Sequence, residues 1–188
     1  MEYKIGYFTE KECKKIINLH KTYKNFGFNF EWYKNTYDSN NRKNVGTSAF
    51  NAYLIPNSPH TKWIFDKLQT FFEESTGLKF TNDIFNCQLY RYETGDLFEK
   101  HIDLVDIFPK RRYNLGVNLN QNYSGGEYYC WAEDTEDDTV RLIPKNTGTI
   151  CVYHSRQLHE IKEITKGVRW SLVIKIESDI INEKMALI

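Results

Sequence analysis

The chain lacks most of what would mark a disulfide scaffold, a secreted protein or a membrane protein. Its four cysteines, Cys13, Cys87, Cys130 and Cys151, form no C-x-x-C pair and are spaced too widely for a zinc ribbon. Cys87 and Cys151 fall inside apolar runs with the character of strands, so they read as reduced thiols of a cytosolic protein. No apolar stretch follows Met1-Glu2-Tyr3-Lys4, which argues against a signal peptide, and no run approaches the length that spans a bilayer. An excess of charge of one sign is also missing. Lys+Arg and Asp+Glu each number 25, which argues against nucleic acid or an anionic membrane as a partner held by net charge. Internal repeats and low-complexity linkers are absent, so the expectation is a single domain over residues 1–188, soluble and cytoplasmic. The richness in Asn, Lys and Ile suits an AT-rich genome. If that genome is viral, the compartment is the host cytoplasm.

Aromatic residues are plentiful, with 13 Tyr and 12 Phe, as expected of a β-rich fold packed by large side chains. The first part of the chain, to about residue 80, reads as helical. Thr9 and Glu12 have capping-box spacing, and Cys13, Ile16, Ile17 and His20 follow at helical intervals. A second helix is expected from Ser58-Pro59, with Trp63, Ile64, Leu68, Phe71 and Phe72 as its apolar stripe and Gly77 past its end. Residues 24–50 are polar and aromatic-rich, either a surface loop or a cover over a pocket mouth. From about 81 to 178 the pattern changes to short strands at 84–92, 112–120, 126–132, 139–143, 148–154 and 168–176, punctuated by glycine-bearing turns. Helices followed by a run of short strands give an α+β order with a sandwich or jelly roll. The acidic stretch at 133–138 reads as a solvated hairpin tip.

Strand parity adds a functional hint. Over 112–120, Tyr113, Leu115, Val117 and Leu119 share one face, which calls for helix cover. Asn114, Gly116, Asn118 and Asn120 share the other, which suits a polar cavity or a solvated surface. Over 168–176, Arg169, Ser171 and Val173 oppose Trp170, Leu172 and Ile174.

His101-Ile102-Asp103, His159 and Arg169 form the constellation that points to chemistry. Alternate residues of an extended segment point the same way, so H-x-D sets an imidazole beside a carboxylate. Two imidazoles and one carboxylate can occupy one face of an iron octahedron and leave three positions open. An arginine ten residues past the second histidine is then placed to hold the distal carboxylate of a 2-oxo acid. His154 lies five residues before His159 and is the competing candidate. His20 and His60 have no such partners and read as structural. Glu160 is either a support for a ligand or a solvent-facing residue. Tyr128 and Trp131 either line an entrance or pack across strands.

These elements occur in a specific order: Gln88-Leu89-Tyr90-Arg91-Tyr92, Gly95, Phe98, His101-Ile102-Asp103, Leu119-Asn120, Tyr123-Ser124-Gly125-Gly126-Glu127, Pro144, Gly148, His159-Glu160-Ile161 and Thr165-Lys166-Gly167-Val168-Arg169-Trp170-Ser171-Leu172. In that order the chain resembles the 2-oxoglutarate- and Fe(II)-dependent dioxygenases of the prolyl-4-hydroxylase-like type found in bacteria and viruses. The resemblance implies a double-stranded β-helix (jelly-roll) core with the N-terminal helices packed on one sheet. It implies Fe(II) held by His101, Asp103 and His159, and 2-oxoglutarate held by Arg169 and Ser171 with Tyr92 and Asn118 beside it. Asn118 stands where many prolyl hydroxylases carry a tyrosine, and an amide can also donate to a carboxylate. Gly125-Gly126 would let one backbone pass close to another. The implied reaction uses O2 and releases succinate and CO2, with ascorbate as a further reductant. The substrate would be a peptide or protein. Three rival readings stay open: a hydroxylase of a small molecule or free amino acid, a nucleic-acid dealkylase, for which Lys175 is all the last strand offers in place of a second arginine, and a non-catalytic jelly-roll module.

Overall fold

The structure is a computed structural model and describes residues 1–25, 52–54, 58–79, 87–103, 110–132 and 139–177. The predicted cover segment at 24–50, beyond the last two residues of the first helix, and the acidic stretch at 133–138 lie outside the described residues. So do the first three residues of the strand predicted at 84–92.

A short strand, β1 (Glu2–Lys4), precedes helix α1 (Glu10–Asn25). The predicted capping box closes α1: the Thr9 N–H donates to Glu12 Oε2 at 2.8 Å, and the Glu12 N–H returns to Thr9 Oγ1 at 3.2 Å. Strand β2 (Ala52–Tyr53) comes before helix α2 (Lys62–Thr76). This helix begins later than Ser58-Pro59, because Ser58 to Thr61 form a turn in which the Thr61 and Lys62 N–H groups both donate to the Ser58 carbonyl. Its C-terminus closes as predicted on Gly77, which has φ 70° and donates to the Glu73 carbonyl. Lys67 ties the two helices together by donating to both oxygens of Glu12, at 3.0 and 2.9 Å.

Ten strands follow: β3 (Cys87–Tyr92), β4 (Phe98–His101), β5 (Arg111–Asn118), β6 (Tyr123–Gly125), β7 (Tyr128–Trp131), β8 (Val140–Ile143), β9 (Ile150–His154), β10 (His159–Ile161), β11 (Ile164–Gly167) and β12 (Arg169–Glu177). The six predicted strands correspond to β3, β5, β7, β8, β9 and β12. A six-stranded sheet runs in the order β1-β9-β5-β12-β3-β2, a four-stranded sheet in the order β4-β10-β7-β8, and β11 pairs with β6. All pairings are antiparallel. This is the expected jelly-roll architecture. The N-terminal part is less purely helical than its sequence suggests, since β1 and β2 form the two edges of the larger sheet.

The helices cover one face of that sheet. Ile16, Ile64, Phe65, Leu68 and Phe72 join Leu89, Leu115, Val117, Leu172 and Ile174 in one buried cluster. Leu115, Val117, Leu172 and Ile174 among them are the outward half of the alternation predicted on β5 and β12. The inward half, including Gly116, Asn118, Arg169, Ser171 and Val173, lines a pocket between the two sheets, and Tyr128, Ile143, His159 and Ile161 face it from the smaller sheet. All four cysteines are buried and unpaired. Among the described residues no helix is long and apolar enough to cross a membrane.

Backbone contact between β6 and β11 is close. Gly125 has φ 73°, and a Cβ there would lie 2.0 Å from the Glu163 carbonyl oxygen. Gly95 also has a positive φ, 90°, but a Cβ there would meet nothing within 4 Å. Gly95→Ala should therefore cost only the backbone penalty of about 1–2 kcal/mol. Gly125→Ala should cost clearly more, because the strand pair must also separate. Urea unfolding of the two variants measures the difference, and equal losses would show that the close approach is not needed.

Candidate metal centre and anion pocket

His101 and His159 meet because β10 pairs with β4 in a register that places them directly opposite one another. Their ring centroids are 4.1 Å apart. His101 is the last residue of its strand, so Asp103 is not delivered by strand alternation, as the sequence reading assumed. It lies two residues past the strand end, where its N–H donates to the Ser155 carbonyl at 3.0 Å. The three side chains bring their ligand atoms within 4.8 Å of one another, and among the described residues they are the only such group.

The hydrogen bonds of the two imidazoles determine which nitrogen is available. Nδ1 of His101 lies 2.6 Å from the Glu99 carbonyl, and Nδ1 of His159 lies 3.0 Å from the Gln157 carbonyl. A carbonyl can only accept, so each Nδ1 carries the proton and each Nε2 presents a lone pair. Both lone pairs face the Asp103 carboxylate, at 3.9 Å from Oδ1 for His101 and 3.6 Å from Oδ2 for His159. Neither distance is a hydrogen bond, and the buried Nε2 of His101 has no hydrogen-bond partner among the described residues. Three electron-rich groups converging with no proton between them suit a cation.

The charges of the site follow from burial and proximity. Burial, reinforced by the neighbouring His159, pushes the His101 imidazole down to about 4. Burial likewise lowers His159. Burial pushes the Asp103 carboxyl up, but the Lys175 ammonium and the two imidazoles outweigh it and hold the group at about 2. Lys175 is the nearest positive charge and donates to Asp103 Oδ1 at 2.6 Å.

Arg169 stands at the other end of the inward face of β12. Its Nη1 donates to Ser171 Oγ at 3.0 Å, its buried Nε has no partner among the described residues, and it is 3% exposed. Among the described residues no carboxylate pairs with it. A buried guanidinium without a counter-ion is costly, so the pocket is suited to an anion. Tyr92 lies opposite Arg169 in register, with its ring centroid 5.2 Å from the guanidinium. Burial raises its phenol to about 12. Asn118 lines the same pocket, but its Nδ2 donates to the carbonyls of Asn120 (2.7 Å) and Lys145, and its Oδ1 accepts from Tyr123. Its amide donors are thus engaged with the backbone.

The remaining candidates separate. His154 packs edge-on against Tyr113 and accepts the Arg156 N–H, outside the metal cluster. Glu160 pairs with Lys162 at 2.7 Å. Tyr128 faces the site and donates to the Tyr153 hydroxyl at 2.5 Å, whereas Trp131 lies under the ammonium of Lys100, 4.0 Å from its ring centroid. Sequence reasoning missed Thr149, whose buried Oγ1 lacks a partner, and it missed Lys175 as a site residue. Extending the Arg169, Ser171, Val173 series by one more alternation would have found the lysine.

Residues 87–176 match the family model described as the 2OG-Fe(II) oxygenase superfamily. A PKHD-type hydroxylase of Aliarcobacter butzleri (strain RM4018) is 25% identical over 150 residues, covering 71% of this chain and 65% of that protein. The chain spans less than two thirds of that relative and less than half of the other PKHD-type hydroxylases it matches. A prolyl hydroxylase from Trichoplax adhaerens, solved with a hypoxia inducible factor oxygen degradation domain peptide fragment, aligns with a TM-score of 0.69 at 14% identity, covering 95% of this chain and 83% of that one. The viral collagen prolyl hydroxylase of Paramecium Bursaria Chlorella virus-1, solved as a 2OG complex, aligns with a TM-score of 0.62 at 18% identity, covering 94% of each chain.

A pH prediction follows for the metal-free protein. His101 titrates at about 4 when folded and near 6.5 when free, so between these values the unfolded chain holds more protons. Stability should therefore fall as pH drops through that window, by on the order of 2 kcal/mol for this group between pH 7 and 5. Asp103, lowered from 3.8 to about 2, adds its loss only below pH 4. Thermal melts of the metal-free wild type and of His101→Gln at both pH values test this. An equal loss in the two proteins would mean that His101 is not held neutral.

Proposed function

We propose that this chain, whose residues 87–176 match the model of the 2OG-Fe(II) oxygenase superfamily, is an iron(II)- and 2-oxoglutarate-dependent dioxygenase that hydroxylates a C–H bond. The observation that carries this reading is the convergence of two imidazole lone pairs on the Asp103 carboxylate, in a pocket whose far end holds a buried arginine with no carboxylate partner among the described residues. His101, Asp103 and His159 would hold iron(II), which two nitrogens and one carboxylate suit. Iron(II) and 2-oxoglutarate, when bound, supply the oxidising chemistry: one atom of O2 enters the substrate C–H bond and the other ends in succinate as CO2 leaves.

The chain's own residues prepare the site for that reaction. Arg169 stays charged when buried, and its planar fork can meet the distal carboxylate of 2-oxoglutarate through two hydrogen bonds. Ser171, already on Arg169 Nη1, is placed to add a hydroxyl contact. Tyr92, Tyr128 and Tyr153 keep their phenolic protons because burial raises all three; Tyr128 donates its own to Tyr153, and none of the three competes for the metal as an anion. Phe98, Ile161 and Val173 line the same space with apolar surface and limit the water that reaches it. Asn118, with its donors held by backbone carbonyls, shapes the pocket wall.

The substrate we infer is a peptide or protein, in line with the prolyl hydroxylases among the structural neighbours, one of them solved with a peptide. Ascorbate is the reductant expected to sustain turnover. Four unpaired, buried cysteines favour a reducing compartment, the cytoplasm.

Anaerobic addition of Fe(II) and 2-oxoglutarate should give a visible charge-transfer band without any need to know the substrate. His159→Ala should abolish the band. Arg169→Ala should keep the metal but weaken 2-oxoglutarate by about 10- to 100-fold, the worth of a charge-assisted hydrogen-bond pair. A folded wild-type protein that gives no band would overturn the assignment.

A further inference from the structure

Lys175 is a strange residue to find between two sheets. It lies on the pocket side of β12, six residues past Arg169, and its partner in register on β5 is the fully buried Asn114. Its side chain is 13% exposed and that of Asp103 7%, so this is a buried ion pair linking residues 72 apart in the chain. Such a pair is a poor source of stability, since apolar replacements of similar volume often serve as well or better. Its geometry is more informative. The Asp103 N–H is held by the Ser155 carbonyl, and the carboxylate is held by Lys175 through one oxygen alone, Oδ1, at 2.6 Å. Oδ1 also faces His101 Nε2 at 3.9 Å, while Oδ2 faces His159 at 3.6 Å and carries no hydrogen bond among the described residues.

We infer that Lys175 is a positioning residue: by occupying Oδ1 it leaves Asp103 only Oδ2 to offer a metal, so the centre takes one carboxylate oxygen and not two. The inference rests on the metal reading above and deepens it. Two imidazole nitrogens and one oxygen leave three of six positions open. A second oxygen from Asp103 would remove one of the three, and a chelating cosubstrate and O2 together need all of them. Lysine suits the task because its ammonium is a compact donor on a stem long enough to reach across from β12.

Two measurements test this on the full chain. In the first, wild-type protein labelled with 4-13C-aspartate is loaded with Mn(II) and followed by infrared difference spectroscopy. The metal-sensitive carboxylate should show the wide splitting of its two stretches that marks single-oxygen binding, and a narrow, two-oxygen splitting would overturn the inference. In the second, Mn(II) binding to Lys175→Met and Lys175→Arg is compared with wild type. Lys175→Met should bind about tenfold or more weakly, the usual size of losing a ligand's support, and its carboxylate splitting should narrow. Lys175→Arg should restore both. A Met variant that folds, binds within twofold of wild type and keeps the wide splitting would reduce Lys175 to a counter-ion. If Lys175→Met does not fold, the wild-type splitting decides alone. Failure of wild type to bind Mn(II), with His159→Ala no different, would overturn the metal assignment itself and this inference with it.

Discussion

The site depends on where two protons are not. Backbone carbonyls at Glu99 and Gln157 hold the Nδ1 protons of His101 and His159, so both rings turn their lone pairs toward one carboxylate. Any other tautomer would let an imidazole donate to Asp103 and close the gap as an ordinary hydrogen bond. The smaller sheet imposes the arrangement, since β10 sets His159 opposite His101 and the turn before it supplies the Gln157 carbonyl. Gln157 is itself fixed: its side chain donates to the Trp131 carbonyl at 2.9 Å and accepts the His154 N–H at 3.0 Å. A residue with no part in the chemistry thus orients the ring of one that has.

The pocket is polarised along its length. Lys175 and Asp103 compensate each other at one end, while Arg169 at the other end faces tyrosine rings and a serine hydroxyl but no anion among the described residues. The low-dielectric walls strengthen both situations, making the paired end rigid and the unpaired end receptive. A dianionic acid with a chelating head and a distal carboxylate matches that asymmetry, in keeping with the 2-oxoglutarate reading.

Much of this was legible because alternation along a strand is a strong signal where a sheet has two different sides. On β5 and β12 the apolar half packs on helices, as its pattern calls for, and the other half faces the pocket, one of the two outcomes the pattern allowed. The capping box at Thr9 and the glycine stop at Gly77 are local devices and were legible for the same reason. What escaped was set by pairing and not by pattern. Strands β1, β2, β4, β6, β10 and β11 have two to four residues each, and they exist through their neighbours. Asp103 looked like a strand residue because H-x-D fits one, yet its position comes from a hydrogen bond to Ser155, more than fifty positions away. Asn118 looked like a donor because amides donate, but the carbonyls that engage it belong to Asn120 and Lys145 and are close only after folding. Lys175 lies on the same face as Arg169, Ser171 and Val173 but was weighed only against a dealkylase's second arginine, because its partner Asp103 is 72 residues away in the chain.

The two-sidedness of β12 has a consequence for how such a protein changes over generations. Leu172, Ile174 and Ile176 answer only to the helical layer, whereas Arg169, Ser171, Val173 and Lys175 answer only to the pocket. Substitutions at Val173 can alter what the cavity admits while the scaffold is untouched, and repacking beneath the helices can raise or lower robustness without disturbing the ligands. Selection can therefore act on what the protein recognises and on how firmly it is built as two nearly independent traits, written in alternate letters of the same nine-residue strand.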